Sequence, residues 1–450
     1  MTYRFLAPDR LYGVLKDVER ADMIRRHSSG KILLINGFRI PEDSTLSDAV
    51  QLLLTEAVIR SYEFFCEAAV FCPEDGNVPR EITGVLFRQG FLRVNPVTEP
   101  VPVLVTDTHA PLLLLENMET VLKEPFSQNP AVLKAIRKGH ENLKNRMARL
   151  FPGQVLLPVS AGVLFHRLTD RITELNGVPR EPAEPRKLGP LMCVPYGKII
   201  RGRVIPNTVT KTLYTDRVYE PDLQSNCVEA FPEYPSLETQ VRIIHSFRRP
   251  VILVDDVLNR NGLRIGTLEP LLRKQGVEVE KVLLGILTGY GKDSLERAGF
   301  DSDCVYFIPN MRYWFLESSL YPFIGGDAVR RKEVKVAGLA PSINLIHPYT
   351  QPPLEEADPE ALYAFSECCM ENARDILKTL EQEYRLRYSR NLTLSRLAEA
   401  VNLPVCPDRG AYLTYDPNLP ASGYVEGDLE LLRRLRVNTR ESTRRRSDLP

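Results

Sequence analysis

VILVDDVLNRNGLR, residues 251–264, joins four apolar residues to two adjacent aspartates and a short polar turn. The unbroken apolar run 251–254 is typical of a parallel strand that is covered on both faces. Residues 267–275 then have the pattern of a helix. Ligands of open α/β sheets bind beyond the carboxyl ends of the strands, which is where Asp255 and Asp256 fall. The sequence therefore predicts a buried strand that ends in a ligand site.

The polar turn 259–264 is expected at the N-terminus of the following helix. Unpaired backbone N–H groups at such a position favour an anion such as phosphate. Because adjacent side chains of a strand point to opposite faces, we expect one aspartate to meet the ligand and the other to orient a metal or the loop. The alternative is structural: the two aspartates only cap the turn. The candidate ligand-binding residues here are Asn259, Arg260, Asn261, Gly262, Leu263 and Arg264.

This stretch resembles the ribose-phosphate signature of type I phosphoribosyltransferases, in which an acidic pair closes a strand and a Thr-Gly-x-Thr-like loop holds the 5-phosphate. Arg260, Asn261 and Leu263 stand where that family usually has a hydroxyl residue, a glycine and a second hydroxyl residue. The resemblance implies that Asp255 and Asp256 hold ribose hydroxyls or orient Mg2+, as the catalytic and metal-binding residues.

A second informative segment, residues 154–176, reads QVLLPVSAGVLFHRLTDRITELN. It predicts a strand, a small-residue turn and a helix with apolar residues at helical spacing. The segment resembles the first strand and pyrophosphate loop of the same transferase fold, where small residues let backbone N–H groups approach a diphosphate. The resemblance implies that Val159, Ser160, Ala161 and Gly162 contact the diphosphate.

The basic stretch 196–219 lies between these segments and includes Lys198, Arg201 and Lys211. In phosphoribosyltransferase-like proteins a hood or flexible loop covers the ligand, and cations there would stabilise a departing pyrophosphate. An exposed basic hairpin explains the same stretch equally well. Farther along the chain, the single tryptophan, Trp314, is a candidate for stacking on a base, although a core position is the simpler interpretation.

Later apolar runs continue the pattern of a doubly wound sheet. Residues 281–288 and 304–309 are predicted strands, with a helix over 293–298 between them. We therefore predict an α/β protein with a doubly wound parallel sheet of the phosphoribosyltransferase type over residues 141–345.

The flanking regions are expected to fold separately. Residues 1–140 form a small α/β domain, whose helix, strand, helix, strand order faintly resembles the second half of a GNAT acetyltransferase. That region has no Arg/Gln-x-x-Gly-x-Gly/Ala loop, so a structural or degenerate domain is the preferred interpretation. Residues 346–450 are expected to be a linker, a helical extension and a basic, disordered tail.

Composition limits the classes of function. The 450 residues carry no net charge, so no global field attracts the chain to nucleic acid or anionic membrane. No apolar run approaches the roughly 20 residues that span a bilayer, and the start is not a signal peptide. The eight cysteines form no CxxC pair, and the six histidines form no metal-binding array. These features predict a cytoplasmic protein with reduced thiols.

The resemblance implies transfer of a phosphoribosyl group from phosphoribosyl pyrophosphate with Mg2+ and release of pyrophosphate. A second hypothesis is a non-catalytic module that binds a nucleotide or phosphoribosyl ligand and regulates or assembles a partner. A third is a purely structural scaffold. The expected ligand is a small molecule, and a homodimer is compatible with the sequence.

Overall fold

The computed structural model describes residues 1–7, 10, 30–39, 46–73, 78–99, 101–182, 184–185, 187–197, 199–200, 204–231, 234–259, 263–330, 339–408 and 415–447, with the side chains of 263–264 and 438–447 left out. The fold is mixed α/β, as predicted. The chain divides into two units: unit 1 contains residues 1–159 and 312–450, and unit 2 contains residues 160–311.

The helices are α1 (Leu46–Ser61), α2 (Arg80–Arg88), α3 (Met118–Val121), α4 (Pro130–Leu150), α5 (Ala161–Leu175), α6 (Leu237–Ser246), α7 (Leu263–Lys274), α8 (Gly289–Arg297), α9 (Pro359–Tyr388) and α10 (Ala421–Ser447). Short 3-10 turns lie at Tyr62–Phe64, Phe126–Gln128, Glu317–Leu320 and Leu394–Glu399.

The strands are β1 (Thr2–Leu6), β2 (Lys31–Gly37), β3 (Cys66–Phe71), β4 (Leu92–Arg93), β5 (Leu104–Glu116), β6 (Gln154–Ser160), β7 (Met192–Pro195), β8 (Val209–Thr210), β9 (Thr215–Tyr219) and β10 (Asn226–Ala230). They continue with β11 (Val251–Leu258), β12 (Val279–Thr288), β13 (Ser302–Ile308), β14 (Tyr313–Leu316), β15 (Asp327–Val329), β16 (Ala340–Ile343) and β17 (Val405–Pro407).

Unit 1 is built on a mixed sheet of order β1-β2-β3-β5-β14, in which β4 and β6 also pair with β5. Strands β2 and β3 are parallel and are joined through α1, whereas β3 and β5 are antiparallel. The register of the parallel pair β5 and β14 aligns Leu115 with Leu316. A smaller group joins β15 to β16 antiparallel and β16 to β17 parallel.

Helices α4 and α9 form much of the core of unit 1. The N-terminus of α4 is capped by Asn129, whose side chain accepts hydrogen bonds from the N–H groups of Ala131 and Val132. The fully buried residues that α4 and α9 contribute to the core include Val132, Ile136, Leu143, Met147, Ala373, Ile376, Leu377 and Leu380. This packing joins residues from the two segments of unit 1 in one core.

Helix α10 corrects the prediction of a disordered basic tail, because the backbone is helical to Ser447. Its first turns bury Val425, Leu429 and Leu432 in the core of unit 1. A helix that has nucleated on a packed apolar face propagates easily, since each further residue adds one hydrogen bond. The basic charge of the tail did not indicate that the preceding residues pack into the core as a helix.

Unit 2 contains a five-stranded sheet of order β13-β12-β11-β7-β8. All four pairings in it are parallel. The central strands β11 and β12 are almost entirely buried. This burial explains why their sequences are continuous apolar runs and do not alternate between apolar and polar residues. Strands β9 and β10 form an antiparallel hairpin.

The two units divide the chain at places other than the predicted boundaries at 140 and 345. Unit 1 is discontinuous, because residues after 311 supply β14 to its sheet and α9 to its core. Unit 2 is therefore inserted between two segments of unit 1. Ser160 ends β6 and also caps α5, so no linker marks the first junction in the sequence.

Candidate functional site

The acidic pair lies inside the last four residues of β11, because the strand continues past the apolar run to Leu258. Asp255 is 4% exposed, and its Oδ1 accepts a hydrogen bond of 3.0 Å from the N–H of Asp256. Asp256 is half-buried, and its Oδ1 accepts a bond of 2.8 Å from the N–H of Val257. The two carboxylates thus lie on opposite faces of the strand, and Asp256 is the more accessible.

The acidic pair lies at the point where the order in which the chain adds strands to the sheet changes from one side to the other. From β7 the chain goes to β8 on one side, and it returns to form β11 on the other side of β7. Strands β12 and β13 then continue outward from β11. Strands β8 and β12 thus lie on opposite sides of the pair β7 and β11, and open parallel sheets bind ligands at such a point.

Helix α5 packs on the face of the sheet that carries Asp256. The register pairs Asp255 with Leu284, so Asp256 lies beside Gly285 of β12. A Cβ atom at Gly285 would come within 2.6 Å of the Asp256 carbonyl oxygen and 2.8 Å of Cδ2 of Leu164. Leu164 belongs to the first turn of α5, so the N-terminus of that helix lies at the same sheet edge as Asp256.

The end of β7 forms a tight turn on the other side of β11. The N–H of Tyr196 donates to the Val254 carbonyl at 3.0 Å, immediately before the acidic pair. Gly197 has φ 58°, and a Cβ there would lie 2.9 Å from the Thr215 carbonyl oxygen. Both the left-handed conformation and the close approach require glycine.

The sequence predicts a glycine-containing loop at 289–292 after β12, but these residues form the first turn of α8. Thr288 caps α8: its Oγ1 accepts from the N–H of Gly291 and donates to the Leu258 carbonyl. A Cβ at Gly291 would approach that same carbonyl to 2.7 Å, so the end of β12 is fastened to the end of β11. The turn presents Tyr290, which is 57% exposed. The sequence TGYG directly after an apolar strand was the available signal.

The predicted pyrophosphate turn at Val159, Ser160, Ala161 and Gly162 is not a separate loop. Val159 and Ser160 end β6, and Ala161 and Gly162 begin α5. The Ser160 side chain accepts from the N–H of Val163 at 3.5 Å, which starts the helix at once. The strand itself pairs with β5 in unit 1 rather than joining the sheet of Asp255 and Asp256.

The cations of the basic stretch are only partly described. Lys198 and Arg201 lie outside the described residues, whereas Lys211 follows β8 and is half-buried. The Lys211 N–H donates to the Cys193 carbonyl of β7, so one strand separates it from β11. The last five residues of the stretch form β9, which pairs antiparallel with β10.

The predicted phosphate turn is likewise only partly described. Asn259 follows β11 and is half-buried. Arg260, Asn261 and Gly262 lie outside the described residues. Leu263 and Arg264 form the start of α7, and their side chains are not described. The turn therefore precedes a helix, as expected.

Trp314 belongs to unit 1, and its stacking on a base stays a prediction. It lies in β14 and pairs with Leu113 of β5. The apolar segment 313–316 follows closely after β13 in sequence but joins a different sheet. Its partner strand, β5, lies about two hundred residues earlier in the chain.

Magnesium is the cofactor that the resemblance implies, and the acidic pair supplies the carboxylates to be tested for it. Among the described residues, no three or more His, Cys, Asp or Glu side chains form a group that could hold a metal ion. Mg2+ usually takes only one or two carboxylates and completes its shell with water and substrate phosphates. Because the two carboxylates lie on opposite faces of the strand, only the more accessible one, Asp256, suits an ion that is shared with a diphosphate.

Comparisons with known proteins give no family assignment: no protein-family model matches the sequence, and no curated protein is significantly similar to it. Over the described part of the chain, no helix is long and apolar enough to cross a membrane.

Proposed function

We propose that unit 2 binds phosphoribosyl pyrophosphate or a nucleotide with Mg2+ at the carboxyl ends of β7 and β11, and transfers the phosphoribosyl group with release of pyrophosphate. The observation that carries the proposal is the acidic pair at the point where the strand order reverses. Both the position and the carboxylate chemistry suit a ribose with a neighbouring diphosphate.

Each aspartate has its own role in this proposal. Asp256 is half-buried and accepts hydrogen bonds from the ribose hydroxyls. Asp255 is a positioning residue, because its carboxylate holds the N–H of Asp256 and so fixes the backbone of the site. The N-terminus of α7 follows at once and offers backbone N–H groups to the 5-phosphate. Mg2+, when bound, would neutralise charge on the diphosphate.

The reaction replaces one bond at the ribose C1 carbon. The bond from C1 to the pyrophosphate oxygen breaks, and its electron pair leaves with pyrophosphate. A lone pair of the acceptor forms the new bond, and the acceptor's proton passes to solvent. Asn259 follows the strand where a general base would stand, but an amide can only orient the acceptor and does not remove its proton.

The loop sequence favours a second candidate, a non-catalytic module that binds the same ligand. Arg260, Asn261 and Leu263 replace the hydroxyl and glycine residues that the resemblance would require. Arginine still binds phosphate by charge, so affinity would survive the change better than the geometry that catalysis needs.

The test is calorimetric titration of the full chain with phosphoribosyl pyrophosphate and Mg2+. Asp256→Asn should weaken binding by about 10-fold to 100-fold, since a hydrogen bond to a charged group contributes about 1.5 to 3 kcal/mol. The matched control is Asp301→Asn, which makes the same change just before β13, at the opposite edge of the sheet. Asp301 is 68% exposed and pairs with Lys281 at 2.8 Å, so its loss should leave the affinity unchanged.

Pyrophosphate release with added nucleobases then separates the candidates. Release that depends on Asp256 supports the transferase. Binding without release from any base supports the non-catalytic module. Affinity that is equal in the wild type, Asp255→Asn and Asp256→Asn would show that the acidic pair is not the site.

A further inference from the structure

A second pair of acidic side chains lies at the ends of parallel strands, within unit 1. Glu116 is the last residue of β5, and Glu317 follows directly after β14. Since Leu115 pairs with Leu316, the two glutamates are neighbours at one edge of the sheet. The side chain of Glu317 is fully buried and that of Glu116 is 8% exposed. Two buried carboxylates side by side require cations.

Helix α4 supplies those cations from one face. His140 Nε2 lies 2.9 Å from Glu317 Oε2, and His140 Nδ1 lies 3.9 Å from Glu116 Oε1. Lys144, one turn later, has its Nζ 3.2 Å from Glu116 Oε1. Its Nζ also lies 2.6 Å from Oε1 of Gln51 on α1. The cluster is electrically neutral when His140 is protonated and carries one excess negative charge when it is not.

The remaining neighbours cannot replace the proton of His140. The hydroxyl of Tyr321 donates to Glu317 Oε1 at 3.1 Å, and burial raises the pKa of Tyr321, so it stays neutral. From α9, Cys368 and Cys369 face the cluster as protonated thiols, because burial raises the pKa of both. The Asn372 amide donates to the Gly139 carbonyl at 3.0 Å, which fixes the backbone next to His140.

We propose that protonated His140 is a latch that holds α4 against the carboxyl ends of β5 and β14, and that loss of its proton weakens this contact. After His140 loses its proton, the Glu116 carboxylate still has an ion pair with Lys144. Among the described residues, Glu317 then has only neutral hydrogen-bond donors, such as the hydroxyl of Tyr321. A buried carboxylate without a cation is strongly unfavourable. The side chains of the cluster are 0 to 16% exposed, so bulk water can do little to stabilise an unpaired carboxylate there.

The direction of the pH dependence follows from the folded environment. Burial alone would lower the pKa of His140, but Glu317 and then Glu116 outweigh burial and raise it to about 9. The unfolded chain has an ordinary histidine near pH 6.5. The latch therefore contributes fully below about pH 6.5, loses its contribution as pH rises, and contributes nothing above about pH 9.

The fluorescence of Trp314 is a direct probe, because this single tryptophan lies three residues before Glu317 on β14. Urea unfolding of the full chain should be followed by this signal at several pH values between 6 and 10, for the wild type and for His140→Gln. We expect the ratio of their unfolding constants to change on the order of 100-fold between the ends of this range. The matched control is His109→Gln, the same change at an exposed position of β5, which should show no such dependence.

A ratio that stays constant from pH 6 to 10 would overturn the latch. If His140→Gln does not fold, the wild type still decides the question through histidine NMR. One of the six histidine signals must then titrate with a midpoint above pH 8. If all six midpoints lie at or below pH 8, the latch is overturned.

Discussion

Replacing Gly285 by alanine should destabilise unit 2, because the added methyl group has no space. Its Cβ would meet the Asp256 carbonyl oxygen at 2.6 Å and Leu164 at 2.8 Å, and Leu164 is fully buried. Overpacking of this kind costs about 1 to 3 kcal/mol. Replacing a glycine within a strand returns about 0.5 to 1 kcal/mol. The difference of the two ranges is about 0 to 2.5 kcal/mol. Because the nearest atom is a backbone oxygen of a paired strand, we expect the upper part of this range, with unfolding of unit 2 easier by about 1 to 2 kcal/mol.

Native-state hydrogen exchange, read by mass spectrometry on peptides from β11 and β12, measures this loss where it occurs. Trp314 is unsuitable here because it belongs to unit 1. The control is Gly266→Ala in α7, where a Cβ would meet nothing within 4 Å. That change should stabilise by up to about 1 kcal/mol, since alanine is the better helix former. Equal or slower exchange in Gly285→Ala would refute the packing of α5 on the acidic strand.

Three further changes in unit 1 can be followed by urea unfolding with Trp314 fluorescence. Asn129→Ala removes the cap that accepts two N–H groups at the start of α4, and should cost about 1 kcal/mol; no loss would mean that water replaces the cap. Tyr321→Phe removes a donor to buried Glu317 and should cost about 1 to 3 kcal/mol, so a neutral result would argue against the packing around that carboxylate. Lys378→Ala breaks a half-exposed pair with Glu426 and should cost less than about 1 kcal/mol, and a larger loss would contradict its exposure.

The strands of unit 2 could be predicted from the sequence because a parallel strand that is buried on both faces leaves a local signal. The runs at 251–254, 281–288 and 304–309 correspond to β11, β12 and β13. The position of the acidic pair near the end of its strand was predicted for the same reason. In each case a local run of apolar residues, ended by polar residues or glycine, was sufficient to predict the strand.

Strand partners could not be predicted, since pairing is not local. The run 155–157 was predicted as a strand of the same domain as the acidic strand, yet β6 pairs with β5, and so does β14. Nothing in their composition distinguishes the two sheets. The insertion of unit 2 into unit 1 was not predicted for this reason. The position of Trp314 in the sheet of unit 1 was not predicted either.

The parts of the site that sequence reasoning missed depend on small residues. Gly197, Gly285 and Gly291 each leave space for the backbone of a neighbouring strand or loop. Such a requirement appears only when the neighbour is known. Thr288 likewise becomes informative once its hydroxyl is seen to join the ends of β11 and β12.

An apolar run that ends in an acid is therefore an incomplete indication of a ligand site. LLLLE at 112–116 and WFLE at 314–317 follow the same pattern as VILVDD at 251–256. In unit 1 the acids are buried against His140 and Lys144, so the protein itself neutralises them. In unit 2 Asp256 stays half-buried at the point where the strand order reverses. Glu317 and Asp256 therefore differ in burial, although both follow the same sequence pattern.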